Sequence, residues 1–177
     1  AEVQALHRYN GTSSGDISSD LVGHWKLNET SGTTIADSAG SNNGTWYGSA
    51  GVTSVAGQVD TALQFDGSND YIEVANESNF DFDKDDPFTL AAWIYRTGSS
   101  SEDDIITKYI DSGGYIGYGL WLPDSGGWCP SGGSNCIHVT LIKGGSGALE
   151  VVTDSNVIST GMSCCAESSR ARFRSSK

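Results

Sequence analysis

Thr61-Ala-Leu-Gln-Phe65-Asp66-Gly67-Ser-Asn69-Asp70-Tyr71-Ile-Glu-Val74 is the stretch that decides the fold class. Leu63 and Phe65 alternate with Ala62 and Gln64, the two-residue period of a strand. Asp66 to Asp70 supplies turn chemistry, since Asp and Asn bond their own backbone and Gly accepts positive φ. Tyr71 to Val74 then resumes the strand pattern. The same grammar recurs outward. Leu21–Leu27, Ile105–Ile110, Tyr115–Leu122, Ile137–Ile142 and Leu149–Val152 are short β-branched and aromatic runs set between Gly, Ser, Asn and Asp. Phe88–Tyr95 is apolar on both faces and predicts a central strand covered on both sides. Helical spacing is nearly absent after Leu21. The pattern predicts an all-β, antiparallel β-sandwich of jelly-roll type, with Trp25, Phe65 and Trp93 in its core.

Composition narrows the function classes. The chain has 177 residues, with 22 acidic against 10 basic side chains and a net charge of −12. Four of the basic residues (Arg170, Arg172, Arg174 and Lys177) fall at the C-terminal end, so residues 1–169 carry 6 basic against 22 acidic, or −16. So acidic a body repels phosphate backbones, which argues against nucleic acid and anionic membranes as partners. No apolar run approaches the roughly 20 residues of a membrane-spanning helix, so membrane insertion is not expected. The 5 Trp, 7 Tyr and 5 Phe are too many for a disordered chain.

The two ends depart from the strand grammar. Ala1–Leu6 contains good helix formers and predicts a short helical turn, followed by a polar linker over Asn10–Asp20. Gly161–Lys177 is rich in Ser and Arg, and reads as a disordered tail. Cys129 and Cys136 flank a short Pro-Ser-Gly-Gly-Ser-Asn loop, which suits a disulfide and an oxidising compartment. A ring of that size contributes roughly 2–3 kcal/mol on the chain-entropy model. Cys164 and Cys165 are adjacent and cannot form a relaxed disulfide with each other.

Three segments in order carry a resemblance. Leu21-Val-Gly-His-Trp25-Lys-Leu-Asn-Glu29 leads into Ser31–Gly40 and Asn43-Gly44-Thr45. Gly57-Gln58, Ala62–Gly67 and Asp70–Val74 follow, and then Phe88-Thr-Leu-Ala-Ala-Trp93-Ile94. Together they resemble the opening of laminin G-like, concanavalin A-like jelly-roll modules, with a weaker match continuing to about Ser159. The resemblance implies a domain over 21–160, preceded in 1–20 by the closing segment of another module plus a linker, and followed by an atypical tail over 161–177. It also implies a jelly roll incomplete at its C-terminal end, because the Trp-His strand usual after a segment like Val151–Gly161 is replaced by Met162-Ser-Cys164-Cys165. Exposed strand edges left by such a truncation invite self-association. A piece of a tandem array in a secreted or cell-surface protein is the organisation implied.

Calcium is the cofactor to consider, since family members often hold a structural ion near such loops. Asp37 and Asn43 in one loop, with Asp66, Asn69 and Asp70 in another, offer the hard oxygen ligands calcium takes. The competing reading is that these residues cap their own turns. Asp81-Phe-Asp83-Lys-Asp85-Asp86 is a second acidic loop, read as a solvated connection, and Glu102-Asp103-Asp104 reads as an exposed turn. Neither matches the paired carboxylates of the related jelly-roll glucanases, and none of His7, His24 or His138 sits in a nucleophile context. His138 reads as a surface histidine. Catalysis is therefore not expected. For binding, Tyr115, Trp121 and Trp128 are the aromatic residues on which a sugar can stack its CH face, with Tyr118 on the opposite side of the strand. The function expected is a non-catalytic binding or adhesion module for a polysaccharide or glycosylated surface. A structural spacer and a jelly-roll glycoside hydrolase are the alternatives.

Overall fold

The computed structural model describes residues 3–8, 21–48, 51–82, 86–97, 102–111, 115–124, 128–130, 135–142, 148–154, 157 and 163–165; within strands, 3–8, 110–111, 115, 148 and 163–165 are described as backbone alone. The strands are β1 (Val3–Arg8), β2 (Leu21–Trp25), β3 (Thr34–Ile35), β4 (Gly44–Tyr47), β5 (Thr53–Ala56), β6 (Thr61–Gln64) and β7 (Tyr71–Val74). They continue as β8 (Phe88–Thr89), β9 (Trp93–Tyr95), β10 (Asp103–Asp111), β11 (Tyr115–Leu122), β12 (His138–Ile142), β13 (Ala148–Val152) and β14 (Ser163–Cys165). A 3-10 turn spans Glu77–Phe80. The protein is all-β, and every ladder whose register is described is antiparallel. Two compact units divide it, one running to Ile94 and joined by Cys165, the other running from Tyr95 to Cys164.

In the first unit β4 shows why the pattern folds as it does. Gly44 and Trp46 point inward while Thr45 and Tyr47 point to solvent, and β4 lies between β3 and β7. On the inner side are Ile35 and Trp46, with relative exposures of 0% and 3%. On the outer side Tyr47 and Tyr71 are cross-strand partners and stack at 4.9 Å. The turn at 66–70 does not close a hairpin, because β6 pairs with β5 and β7 pairs with β4. Asp66 explains this locally. Its Oδ1 accepts the amides of Ser68, Asn69 and Asp70, so these donors serve a carboxylate rather than a ladder.

Several expectations are corrected here. Val3–Arg8 is a strand and not a helical turn, since pairing with β2 and β8 overrides a weak local preference. The run from Leu21 stops at Trp25 because Leu27 takes φ 55°, outside strand geometry, while remaining buried. Phe88–Tyr95 is two short strands instead of one doubly covered strand; Leu90, Ala91 and Ala92 lie outside strand geometry between them, and Tyr95 is 60% exposed. Trp25 is buried as expected of the core, but Trp93 is only half-buried. Phe65 is 37% exposed, with one face against Trp46 at 4.9 Å.

The second unit is a meander in the order β10-β11-β12-β13. Asp103 and Asp104 begin β10 and do not form an exposed turn; a register shift follows between Asp104 and Ile106. Cross-strand partners share a face, so the ladder sorts the side chains. Tyr118, Leu120 and Leu122 are buried on one face. Trp121, Gly119 and Gly117 lie on the other, aligned with Asp104, Thr107 and Tyr109 of β10 and with His138 and Thr140 of β12. Ser163–Cys165, inside the segment expected to be a tail, forms β14. The rest of that segment, the 10–20 linker and the side chains of Cys164 and Cys165 lie outside the described residues.

Candidate functional site

The second face of the meander is built around two glycines. A Cβ on Gly119 would stand 1.9 Å from the Tyr109 Oη and 2.8 Å from its Cζ, so the phenol of Tyr109 lies across β11 where a side chain would otherwise stand. Gly117 has φ +142°, and a Cβ there would meet the Lys108 carbonyl oxygen at 1.8 Å. These glycines let β10 approach β11 and let an aromatic ring rest on the strand. Beyond Gly119 on the same face, Trp121 is half-buried. Its Nε1–H donates to Thr140 Oγ1 at 2.9 Å, and its ring sits 4.3 Å from that of His138.

Charge gathers at the edges of this aromatic pair. His138 is 1% exposed, so it is not a surface histidine, and its Nδ1 is hydrogen-bonded to Glu150 Oε1. Burial raises the Tyr109 phenol above its ordinary pKa, and the charges of Asp104 and Glu150 push the same way. Asp104 is raised as well, first by crowding of protein around its carboxyl and then by the charge of Asp103. The face thus combines two aromatic rings with carboxylates on either side. That arrangement can stack on the CH face of a pyranose and accept hydrogen bonds from its hydroxyls.

Trp121 is the expected binding residue that this face contains. Register places the Tyr115 backbone on the same side, opposite Asp111, while its side chain lies outside the described residues. Trp128 is 60% exposed beside the Cys129–Cys136 disulfide, whose S–S distance is 2.09 Å. Arg96 holds the neighbouring chain in place: its Nε pairs with Asp103 Oδ2 at 2.8 Å, Nη2 donates to the Pro123 carbonyl at 3.0 Å, and Nη1 to Asn135 Oδ1 at 3.4 Å. Tyr109, Asp104, Thr140 and Glu150 were not legible as site residues. The signal available was the Gly-x-Gly at 117–119 inside a strand, which marks a close approach.

The residues considered for calcium are placed differently. Asp37 is buried, with Oδ1 accepting the amides of His24 and Ala39 at 2.9 Å and Oδ2 accepting that of Asn42 at 3.0 Å. Burial opposes its charge, but these amides and that of Gly40 outweigh burial and hold its pKa below the ordinary value. Asn43 Oδ1 accepts the Asp37 amide at 3.0 Å. Asp66, fully exposed, is likewise lowered by the amides of Ser68 and Asn69. Asp70 Oδ2 accepts the Asp66 amide at 3.0 Å, and its carboxylate lies against Gly48. Oxygens so engaged serve as turn caps. No group of three or more His, Cys, Asp or Glu side chains suited to a metal ion occurs among the described residues.

No family model, no curated protein and no solved structure matches the chain. The resemblance to laminin G-like modules therefore rests on the quoted residues alone, and the site rests on its own geometry.

Proposed function

We propose that the protein is a non-catalytic carbohydrate-binding module of the laminin G-like, jelly-roll sandwich type, acting outside the cell within a larger protein. The observation that carries this reading is the Tyr109 ring laid over Gly119 beside Trp121, with Asp104 and Glu150 acting on the same phenol. The disulfide favours an oxidising compartment. Affinity electrophoresis through gels containing soluble polysaccharides tests the proposal. The chain is expected to be retarded by at least one β-linked glycan, and Trp121→Ala to weaken that retardation about tenfold, the loss of one buried aromatic contact. Trp128→Ala separates the exposed loop from the sheet face. Absence of retardation by every glycan tried returns the protein to the spacer reading.

Both oxygens of Asp37 and Oδ1 of Asp66 accept backbone amides, which favours the turn-cap reading of these residues over calcium. A ligand that binds only the folded chain must raise its melting temperature. Chelation is accordingly expected to leave the melting temperature unchanged, and a fall of several degrees would bring the ion back.

A further inference from the structure

The aromatic face of the meander presents acceptors and negative charge. Asp104 and Glu150 flank it, and no lysine or arginine lies on it among the described residues: Lys108 shares the opposite face with Tyr118, and Arg96 is ion-paired with Asp103. Behind the face His138 is buried, and its Nδ1 is bonded to Glu150 Oε1, which helps to position that carboxylate.

A ligand complementary to this face has flat apolar CH surfaces, many donors and positive charge at its rim. A β-linked pyranose carries its equatorial substituents around the ring edge, so an amino group at that edge can reach a carboxylate while the ring stacks on Tyr109 or Trp121. An ammonium also interacts favourably with the face of an aromatic ring. Bringing it beside Asp104 gives an opposite charge to a carboxyl whose ionisation is opposed first by burial and then by the charge of Asp103. A uronate brings a third negative charge and repels.

We infer that this face selects polysaccharides bearing free amino groups, such as β-linked glucosamine chains, over neutral glycans of the same backbone, and rejects uronate chains. The inference rests on the carbohydrate-binding reading above and adds the class of sugar.

Calorimetric titration of the full chain with short oligomers tests it: β-1,4-glucosamine, β-1,4-glucose and galacturonate. At low salt the glucosamine oligomer is expected to bind at least about fivefold more tightly than the glucose oligomer, with no binding of the uronate. The preference should shrink at about 0.3 M salt, where screening is strong. It should disappear in Glu150→Gln, or in Asp104→Asn if the first variant does not fold, and persist in Glu73→Gln, which removes the same charge from an exposed site in the other unit. Tyr109→Ala should weaken both oligomers. Equal affinities for the glucose and glucosamine oligomers overturn the inference and leave the binding module standing. Glucosamine binding that survives Tyr109→Ala unchanged is attraction to an acidic protein, and overturns it too. Binding of neither oligomer overturns the inference, whereas the binding module itself falls only if no glycan retards the chain in electrophoresis.

Discussion

Asp37→Ala is expected to destabilise the first unit by roughly 2–4 kcal/mol, because one substitution strips the amides of His24, Ala39 and Asn42 of their shared carboxylate acceptor. The loss spreads through neighbours that this loop positions. Asn42 is buried, accepts Trp25 Nε1–H on its carbonyl at 2.8 Å, and donates from Nδ2 to the Val22 carbonyl at 2.8 Å. Its Oδ1 accepts Asn79 Nδ2 at 2.6 Å, which ties the loop to the 3-10 turn whose Phe80 packs against Trp25 at 5.8 Å. Thermal melting followed by tryptophan fluorescence checks the prediction. A change within experimental scatter would mean that the loop is not holding this part of the core. The pH dependence has a definite sign. Folding lowers the Asp37 pKa, so the carboxylate contributes its full stabilisation above the unfolded value of about 3.9 and loses it as pH falls through the folded value. The stability gap between the natural chain and Asp37→Asn should therefore narrow below about pH 4.

Gly117→Ala and Gly119→Ala are expected to fail in different ways, although they lie two positions apart on one strand. At Gly117 the new methyl meets the Lys108 carbonyl oxygen, which the β10–β11 ladder fixes, and the backbone is at φ +142°. Strain and clash together should cost roughly 2–4 kcal/mol, visible as a lowered urea midpoint. At Gly119 the obstacle is the far end of the Tyr109 side chain, which can swing away. That variant should stay within about 1 kcal/mol of the natural stability while losing about two- to tenfold in glycan affinity as the ring leaves the sheet. If Gly119→Ala binds normally, Tyr109 is not part of the recognition surface.

The strand grammar was most legible where alternation is local. Tyr71–Val74 has the bounds read from its residues, and β10 to β13 follow the runs near 105–110, 115–122, 137–142 and 149–152 within a few positions. Short elements escaped. Gly44–Tyr47 begins on a glycine and has only two inward residues, too few to show a period. Val3–Arg8 is held by partners far along the chain, and helix formers in its sequence gave no hint of them. The site divided in the same way. An aromatic residue such as Trp121 declares itself by chemistry, but Tyr109 and Glu150 become site residues only through register, which sets strands from distant parts of the sequence side by side. Similarly, the carboxylates of Asp37 and Asp66 look alike as ligands and as turn caps until their amide donors are known.

The covalent tie between Cys129 and Cys136 bears on how Trp128 meets a ligand. The backbone next to this exposed indole is fastened by the disulfide, and Arg96 grips the chain at Pro123 and Asn135. A partner docking on the indole must arrest this side chain, at about 0.5–1.5 kcal/mol. The backbone at Cys129, the next residue, is tethered before any ligand arrives, so its own ordering adds nothing to that cost.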